Sequence, residues 1–341
     1  MARTADSPRG KNALASPNRV ADAEDLVEVP QLSDLDRALI ESLREDGRQG
    51  SRALAKQLNV NEVTVAARLR RLEDADVIRV VAITDIRLFG HREFAFAMVQ
   101  VSGRSVHDVA ADLAKLPETV AVTLTTGRFD IIMPLLCRDR RHVAELFGTV
   151  LPAIDGIATV QASMALDVLK YDSKWALLGA DPGTTPEAQP SETVDETDLE
   201  IIRFLQRNAR RSNRSIAAEL GISEGTVRSR IKRMLADRVF RIQAVSDVVA
   251  FGFGAHAFLG IKTVPGAVDE VAAALVRRDD VSQLTRVLNG FDLVGLVKAT
   301  DHESLVSAVF DEIALLPGIR RAETFYGCGS LKHTYAWTWI V

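Results

Sequence analysis

The sequence predicts an α+β fold built from two copies of one module, each a winged-type helix-turn-helix domain followed by a ferredoxin-like βαββαβ domain. Three observations in the 341-residue chain predict this fold. The chain repeats itself once at a constant spacing, and each repeat opens with a helical pattern interrupted by a tight turn. Each repeat then alternates in the order strand, helix, strand, strand, helix, strand.

The repeat aligns residues 35–170 with residues 197–332, and aligned positions lie 162 residues apart, as from Asp36 to Asp198. Identical residues recur at this spacing without a net insertion, including Arg68 with Arg230. The period is far too long for a solenoid, in which one unit has roughly 20–50 residues. We therefore interpret the repeat as the duplication of a two-domain module.

The overall composition limits the classes of protein to which the chain can belong. Hydrophobic residues make up 47% and charged residues 26%, as in an ordinary globular protein. The formal net charge is −4, so any surface that binds nucleic acid must be local. No apolar run approaches membrane-spanning length, and the N-terminus has no apolar signal segment. Two cysteines cannot form a disulfide framework, which predicts a reducing, cytoplasmic location.

Two stretches are rich in polar residues, prolines and glycines, which favour flexible segments over a packed core. Residues 1–32 are predicted to be a disordered tail, and residues 171–194, which contain several prolines and glycines, are predicted to be a linker. The predicted domains are helix-turn-helix domains at 33–85 and 195–247, and ferredoxin-like domains at 86–170 and 248–341.

Each helix-turn-helix half is predicted to contain three helices and an outgoing strand. The second helix ends at Asn59 or Gly221, residue types that tolerate a left-handed backbone. The third helix begins after Asn61 or Ser223, which can cap its free N–H groups. In the first copy we predict helices at 34–46 and 51–58, a third helix from 62 to beyond 72, and a strand at 79–84.

Each ferredoxin-like half is predicted to contain four strands, with amphipathic helices after the first and third. Because a small sheet has one open face, pairing between copies or between chains is expected, and the sequence leaves open which of the two occurs. The strands are predicted at 94–101, 120–126, 131–137 and 158–169 in the first copy, and at 257–263, 281–288, 293–298 and 321–331 in the second.

Several segments resemble the Lrp/AsnC, or feast/famine, family of transcription regulators. They are LDRALIESLREDGRQGSRALAKQLNVNEVTVAARLRRLEDADVI and TTGRFDIIM in the first copy, with ETDLEIIRFLQRNARRSNRSIAAELGISEGTVRSRIKRM, LNGFDLVGLV and PGIRRAETF in the second. The resemblance implies a DNA-binding half and a second half, the RAM domain, that assembles subunits and senses a small metabolite, often an amino acid. Ordinary members carry one module per chain, whereas this chain carries two.

We call each helix-turn-helix domain a head, and the third helix of each head is the predicted DNA-reading element. Val227 and Ile231 form an apolar stripe, so the basic residues beside them are expected to face outward, into the major groove of DNA. Positions 66 and 67 are alanines where the second copy has Arg228 and Ser229, so the second head is expected to hold DNA more strongly. The candidate DNA-binding residues are Thr64, Arg68, Arg70, Arg71, Ser223, Thr226, Arg228, Ser229, Arg230, Lys232 and Arg233.

The turns between the second and third strands carry the candidate effector-binding residues. The resemblance places these turns at a subunit interface, where a carboxylate can pair with an amino group and turn N–H groups can hold a carboxylate. The alternative is a hairpin turn whose Gly and Asp satisfy only backbone needs. The candidates on the turns are Thr126, Gly127, Arg128, Asp130, Asn289, Gly290 and Asp292, and Thr324 on the last predicted strand is a further candidate.

These patterns predict a sequence-specific DNA-binding transcription regulator that responds to a small metabolite, and they predict no catalytic residue, metal or cofactor. The expected partners are double-stranded DNA, an effector such as an amino acid, and at least one further copy of the chain. The alternative is a tetrapyrrole enzyme resembling the siroheme decarboxylases, which are two-module proteins of the same fold. None of the six histidines lies in TTGRFDIIM or LNGFDLVGL, where the resemblance would place the signature of those enzymes.

Overall fold

A computed structural model describes residues 32–85, 92–176, 194–248, 250–333 and 337–338. Almost all of the predicted tail, and residues 177–193 of the predicted linker, lie outside this described part of the chain.

The first module contains a three-helix head and a ferredoxin-like domain. Ser33 and Asp36 form a capping box at the start of the first helix, and the second helix ends at Asn59 with a left-handed backbone, as its residue type predicts. The elements are α1 (Asp34–Glu45), α2 (Ser51–Leu58), α3 (Glu62–Asp74), β1 (Ile78–Asp85), β2 (Glu93–Val101), α4 (Val106–Ala114), β3 (Ala121–Thr126), β4 (Ile131–Cys137), α5 (Arg140–Glu145), a π-helical turn (Leu146–Val150), β5 (Ile157–Tyr171) and β6 (Trp175–Ala176).

The second module repeats this order element by element. Asp195 and Asp198 form its capping box, and the second helix ends at Gly221, again with a left-handed backbone. The elements are α6 (Glu196–Arg207), α7 (Asn213–Leu220), α8 (Glu224–Ala236), β7 (Phe240–Asp247), β8 (Ala255–Thr263), α9 (Val268–Val276), β9 (Val281–Leu288), β10 (Leu293–Ala299), α10 (His302–Ser307), a π-helical turn (Ala308–Ile313), β11 (Ile319–His333) and β12 (Trp337–Thr338).

The two ferredoxin-like domains close into one barrel. Within each domain the strands are arranged as the fourth, first, third and second, which is β5-β2-β4-β3 in the first and β11-β8-β10-β9 in the second. The open edges then pair across the modules, because β3 joins β11 and β5 joins β9. The exposed edges of both small sheets are thereby removed within one chain.

The two heads are joined in a similar way. β1 and β7 pair antiparallel over seven residue positions, from Ile78 opposite Ser246 to Thr84 opposite Phe240. The short strands β6 and β12 extend this sheet in a crossed manner, since β6 of the first module pairs with β7 and β12 of the second pairs with β1. The buried side chains of both heads form one continuous cluster.

Two lysines also connect the modules, each by side-chain hydrogen bonds to the other module. Lys332 on β11 donates to the carbonyl of Leu116, just after α4 of the other module. Lys170, its aligned counterpart on β5, donates to the carbonyls of Val276 and Arg278 at the end of α9. An ammonium group at a helix C-terminus satisfies free carbonyls and opposes the helix dipole. Pairing of the two copies therefore takes place within the chain.

Candidate DNA-binding surface and ligand-binding sites

The reading helix of the second head, α8, is oriented by its apolar stripe. Val227, Ile231 and Met234 are buried against the rest of the head, and Ser223 caps the first turn by accepting from the N–H of Thr226 at 3.0 Å. The opposite side of the helix is exposed. Its exposed polar residues include Thr226, Arg228, Ser229, Lys232 and Arg233, and on α3 they include Thr64, Arg70 and Arg71.

Two of the arginines predicted on the first reading helix pair with a buried carboxylate of the same head, and Arg68 is 32% exposed whereas Arg71 stays 60% exposed. Arg68 and Arg71 donate to the carboxylate of Asp36 at 3.0 and 2.8 Å, and Asp36 is completely buried. Burial alone raises the pKa of Asp36, but hydrogen bonds from Ser33 and Arg68 outweigh it, so this pKa lies below the usual value. These ion pairs attach α3 to the start of α1.

The second head repeats this arrangement. Arg230 donates to Asp195 at 2.7 Å and to the fully buried Asp198 at 2.9 Å, and Arg233 also donates to Asp198. The expectation that Arg230 faces outward with Arg228 is therefore wrong, because the Arg230 side chain is only 28% exposed and is turned toward α6. The recurrence of Asp36 as Asp198 was visible in the repeat, but nothing local in the sequence identified it as a partner for an arginine 32 residues away.

Arg228 differs from its neighbour, since it keeps 68% of its side-chain surface exposed. It pairs at 2.8 Å with Glu224 one turn earlier on the same helix. Such an exposed pair contributes only about 0.3–0.5 kcal/mol, so the guanidinium is free to exchange it for a phosphate or a base edge.

The first turn, between β3 and β4, contacts β11 of the other module. Arg128 pairs with Glu323 on β11 at 3.0 Å and lies 4.6 Å from the ring centre of Phe129. The hydroxyl of Thr324 is buried nearby and makes no hydrogen bond within the described residues. Gly127 has a φ of 133°, and an added Cβ would lie 3.3 Å from the ring of Phe325. We call this contact the first seam.

The second turn, between β9 and β10, makes the equivalent contact with β5. Asn289 donates to the carbonyl of Ala162 at 2.7 Å and accepts at its own carbonyl from Ser163 at 2.9 Å. The amide nitrogen of Gln161 is buried against Gly290 and has no hydrogen-bond partner in the part of the chain that the structure describes. We call this contact the second seam. The candidate effector residues are thus brought to the junction of the modules, as two unequal sites.

Two of the effector candidates have a backbone role. Asp130 accepts from the N–H of Val101 at 2.7 Å, and Asp292 accepts from the N–H of Thr263 at 2.8 Å and from Lys262. Burial raises the pKa of Asp292, but these hydrogen bonds lower it below its usual value. The geometry favours the alternative reading of these carboxylates, that they fasten the turn to β2 or β8.

A third site was not predicted from the sequence. A cavity of about 120 Å³ lies inside the head-facing end of the barrel, and we call it the inner cavity. His256, Lys298 and His333 line it on the side of the second module, and Phe94 and Pro134 on the side of the first. Within the described residues there is no group of three or more potential metal ligands.

Two family models match both copies. The AsnC-type helix-turn-helix domain matches residues 32–73 and 194–235, and the Lrp/AsnC ligand binding domain matches residues 94–175 and 256–337. In the described part of the chain, no helix combines the length and apolar character needed to cross a membrane.

Relatives of known sequence match one module at a time. An uncharacterized HTH-type transcriptional regulator of Pyrococcus abyssi is 34% identical over 142 residues, which cover 41% of this chain and 90% of that protein. The HTH-type transcriptional regulator Ptr1 of Methanocaldococcus jannaschii is 36% identical over 121 residues, covering 35% of this chain and 82% of that protein.

A solved structure matches both modules at once. The siroheme decarboxylase NirDL superposes with a TM-score of 0.62 over 87% of this chain and 92% of its own, at 15% sequence identity. This likeness shows a shared two-module fold.

Proposed function

This chain belongs to the Lrp/AsnC family of DNA-binding transcription regulators, and we propose that its two heads read DNA together from one polypeptide under the control of a small-molecule effector. Ordinary helix-turn-helix dimers place two heads on half-sites about 34–36 Å, or a multiple of that distance, apart. Here the second head is supplied in cis, so it binds at the high effective concentration of a tethered partner. Further association of whole chains, to at least a dimer, remains a prediction.

The observation that carries this proposal is the pairing of β1 with β7, which joins two complete heads whose reading helices keep an exposed polar face. The proposed contacts to bases and phosphates are made by the side chains that remain exposed. In the second head they are Thr226, Arg228, Ser229, Lys232 and Arg233, and in the first Thr64, Arg70 and Arg71. Arg68 and Arg230 are proposed to position these helices, and Ser223 to cap one of them.

The two heads are proposed to contribute unequally. The exposed face of α8 carries Arg228 and Ser229, whereas α3 has Ala66 and Ala67 at the aligned positions. Arginine and serine can donate to base edges in the major groove, and alanine cannot. The second head therefore supplies most of the affinity for DNA, while the first head reads the second half-site of the DNA.

The seams are the proposed effector sites, since they place polar turn atoms between the modules. At the first seam, Arg128 and the buried Thr324 hydroxyl suit a carboxylate, while Glu323 suits an amino group. At the second seam, Gln161 and Asn289 offer neutral amide groups only. An amino acid therefore fits the first seam better than the second.

The alternative function, a tetrapyrrole enzyme, is less well supported. The inner cavity holds two histidines, but its volume of about 120 Å³ is below the range of about 300–1,000 Å³ that is usual for pockets enclosing a drug-sized ligand. A tetrapyrrole would therefore require the barrel to open. We propose that the chain is not an enzyme and acts in the cytoplasm, where a chromosome is accessible.

The decisive experiment is a salt titration of DNA binding by fluorescence anisotropy, using duplexes from the region upstream of the chain's own gene. The double variant Arg228→Ala, Lys232→Ala is expected to reduce the slope of log affinity against log salt by about 0.9 if only Lys232 contacts a phosphate, and by about 1.8 if Arg228 does so too. The matched control is Arg320→Ala, an exposed arginine on β11 outside the heads. Equal slopes for the wild type and the double variant would contradict the proposal.

A further inference from the structure

The inner cavity lies where the two modules and the head sheet meet. Strands of both ferredoxin-like domains line it, and Trp175 and Phe253 form part of its wall on the side of the heads. Trp175 lies on β6, opposite Ser246 of β7, and its ring is 5.1 Å from that of Phe253. A molecule in this cavity would thus contact the barrel and the base of the heads at once.

The first module contributes a mostly apolar lining, whereas the second contributes apolar and polar residues, although the two sides come from aligned copies of one module. Each polar residue from the second module replaces an apolar or aromatic residue 162 positions earlier. Besides Tyr171, which has a hydroxyl, the first module contributes the polar lining residues Thr123 and Asp172. The aligned pairs, second module first, are His256 and Phe94, Ser282 and Val120, Gln283 and Ala121, Lys298 and Leu136, Ser330 and Val168, and His333 and Tyr171.

The polar half contains a donor whose hydrogen-bonding capacity is unused. Gln283 is only 8% exposed, and its amide nitrogen makes no hydrogen bond to any residue that the structure describes. Leaving a buried N–H donor unpaired is costly, so this donor would be stabilised by an acceptor bound in the cavity.

Lys298 supplies the positive charge beside this donor. Its ammonium donates to the carbonyl of Asp279 at 3.1 Å and lies 4.3 and 4.7 Å from the ring centres of Phe253 and Trp175. Asp172 is the acidic residue of the lining, and Lys298, Arg44 and Arg241 all interact with it electrostatically. The charge of Asp172 is thus balanced by these cations, and an anionic ligand beside it does not face an uncompensated negative charge.

Space for His256 depends on a glycine. An added Cβ at Gly327 would lie 2.0 Å from Nε2 of His256, so this imidazole packs directly over the glycine backbone. The aligned position in the first module is Ala165. The second module thus has a glycine where the first has an alanine, and this glycine leaves room for the His256 imidazole.

We propose that the inner cavity binds a small organic carboxylate with a compact apolar body, and that its occupancy is transmitted to the heads. Lys298 and Gln283 hold the carboxylate, while Phe94, Pro134 and Phe258 enclose the apolar body. The cavity, at about 120 Å³, is slightly smaller than an apolar cavity of about 150 Å³ that admits benzene, so the apolar body of the ligand is limited to about one benzene ring. This site is separate from the two seams.

The route to the heads runs through Trp175. The guanidinium of Arg44, on α1 of the first head, lies 4.3 Å from the Trp175 ring centre and donates to Ser246 on β7 at 2.9 Å. A ligand that moves Trp175 or Lys298 therefore changes contacts shared by both heads. This transmitted effect rests on the proposed function, whereas binding in the cavity does not.

The test is calorimetric titration of the full chain with benzoate and with its neutral analogue benzamide. Wild type is expected to bind benzoate, and Lys298→Met to weaken that binding by about ten- to hundred-fold while leaving benzamide unaffected. Gln283→Leu is expected to weaken it by about two- to ten-fold without reducing thermal stability, because the variant removes an unpaired buried donor. Lys115→Met, at a lysine whose side chain is 75% exposed, is the charge-matched control.

Several results would overturn the assignment. One is the absence of heat with benzoate at about 10 mM, and another is equal benzoate affinity in the wild type, Lys298→Met and Gln283→Leu. Binding of an iron-uroporphyrin probe, with a visible absorbance change lost in the same two variants, would show that the cavity admits a tetrapyrrole instead.

Anisotropy with labelled duplex DNA then separates binding from transmission. Benzoate at a concentration equal to its wild-type Kd is expected to change DNA affinity in the wild type and not in Lys298→Met, which binds benzoate about ten- to hundred-fold more weakly. Failure to bind any duplex would refute the proposed function and leave the calorimetric result standing. Normal DNA binding that benzoate does not alter would refute transmission alone.

Discussion

Replacing Asp198 by asparagine tests whether the arginines of the reading helix hold the second head together. Asp198 is fully buried and receives hydrogen bonds from Arg230 at 2.9 Å, from Arg233, and from the N–H of Asp195 at 3.2 Å. Asparagine keeps the shape and one acceptor oxygen but loses the charge. Two arginines are then left without the carboxylate they share.

The magnitude follows from the exposure of the partners. Removing one partner of a fully buried ion pair costs about 3–5 kcal/mol. Here Arg230 and Arg233 retain 28% and 45% of their side-chain surface, so water partly replaces the lost carboxylate. We therefore expect Asp198→Asn to lower the free energy of unfolding of the joined heads by about 2–3 kcal/mol.

Urea denaturation followed by far-UV circular dichroism measures this loss. The matched control is Glu200→Gln on the same helix, where the pair with Arg203 is 44% exposed on both sides and is expected to contribute at most about 0.5 kcal/mol. If Asp198→Asn unfolds within about 0.5 kcal/mol of the wild type, the ion pairs are not structural. Arg230 would then return to the set of DNA contacts.

Two further predictions concern stability. Gly318→Ala should destabilise the chain by more than Gly221→Ala, although both glycines have a positive φ. An added Cβ at Gly318 would lie 2.8 Å from the Cβ of Ala267, whereas at Gly221 it would meet open space, so Gly221→Ala should cost only about 1–2 kcal/mol, the penalty of a left-handed backbone. Equal urea midpoints for the two variants would contradict this prediction. Burial and the nearby His256 lower the pKa of His333 from 6.5 to about 4, so between these values the unfolded chain binds more protons than the folded chain, and stability rises with pH. Unfolding at pH 5 should therefore require about 2 kcal/mol less than at pH 7, and the variant His333→Tyr should lose this contribution; an unchanged pH dependence in that variant would show that another group is responsible.

The local structure of both modules was predictable because it depends on short-range patterns. The predicted strands at 131–137 and 281–288 coincide with β4 and β9, and the second helix of each copy is confirmed at both ends. Strand β5 is longer than predicted, since its continuation to Tyr171 is stabilised by pairing with β9 of the other module. That partner lies more than 100 residues away, so no local pattern indicates it.

The candidate DNA-binding surface was only partly predictable. An apolar stripe identifies the buried side of a helix, but it does not distinguish an arginine that faces solvent from one that reaches around to a buried carboxylate. Arg228 and Arg230 are two residues apart in the same basic segment of α8, yet only Arg230 pairs with Asp198. The difference is set by the packing of α8 against α6.

The sequence alone determined the duplicated module, the order of its helices and strands and its family, because these follow from periodicity, turn residues and spacing along the chain. Only the tertiary structure decided that the two copies pair with each other inside one chain, that Arg230 points inward, and that His256, Gln283 and Lys298 meet around a cavity. The physical reason is that strand pairing and cavity shape depend on contacts between residues far apart in sequence. Such contacts bring different side chains to equivalent places in two copies of one fold.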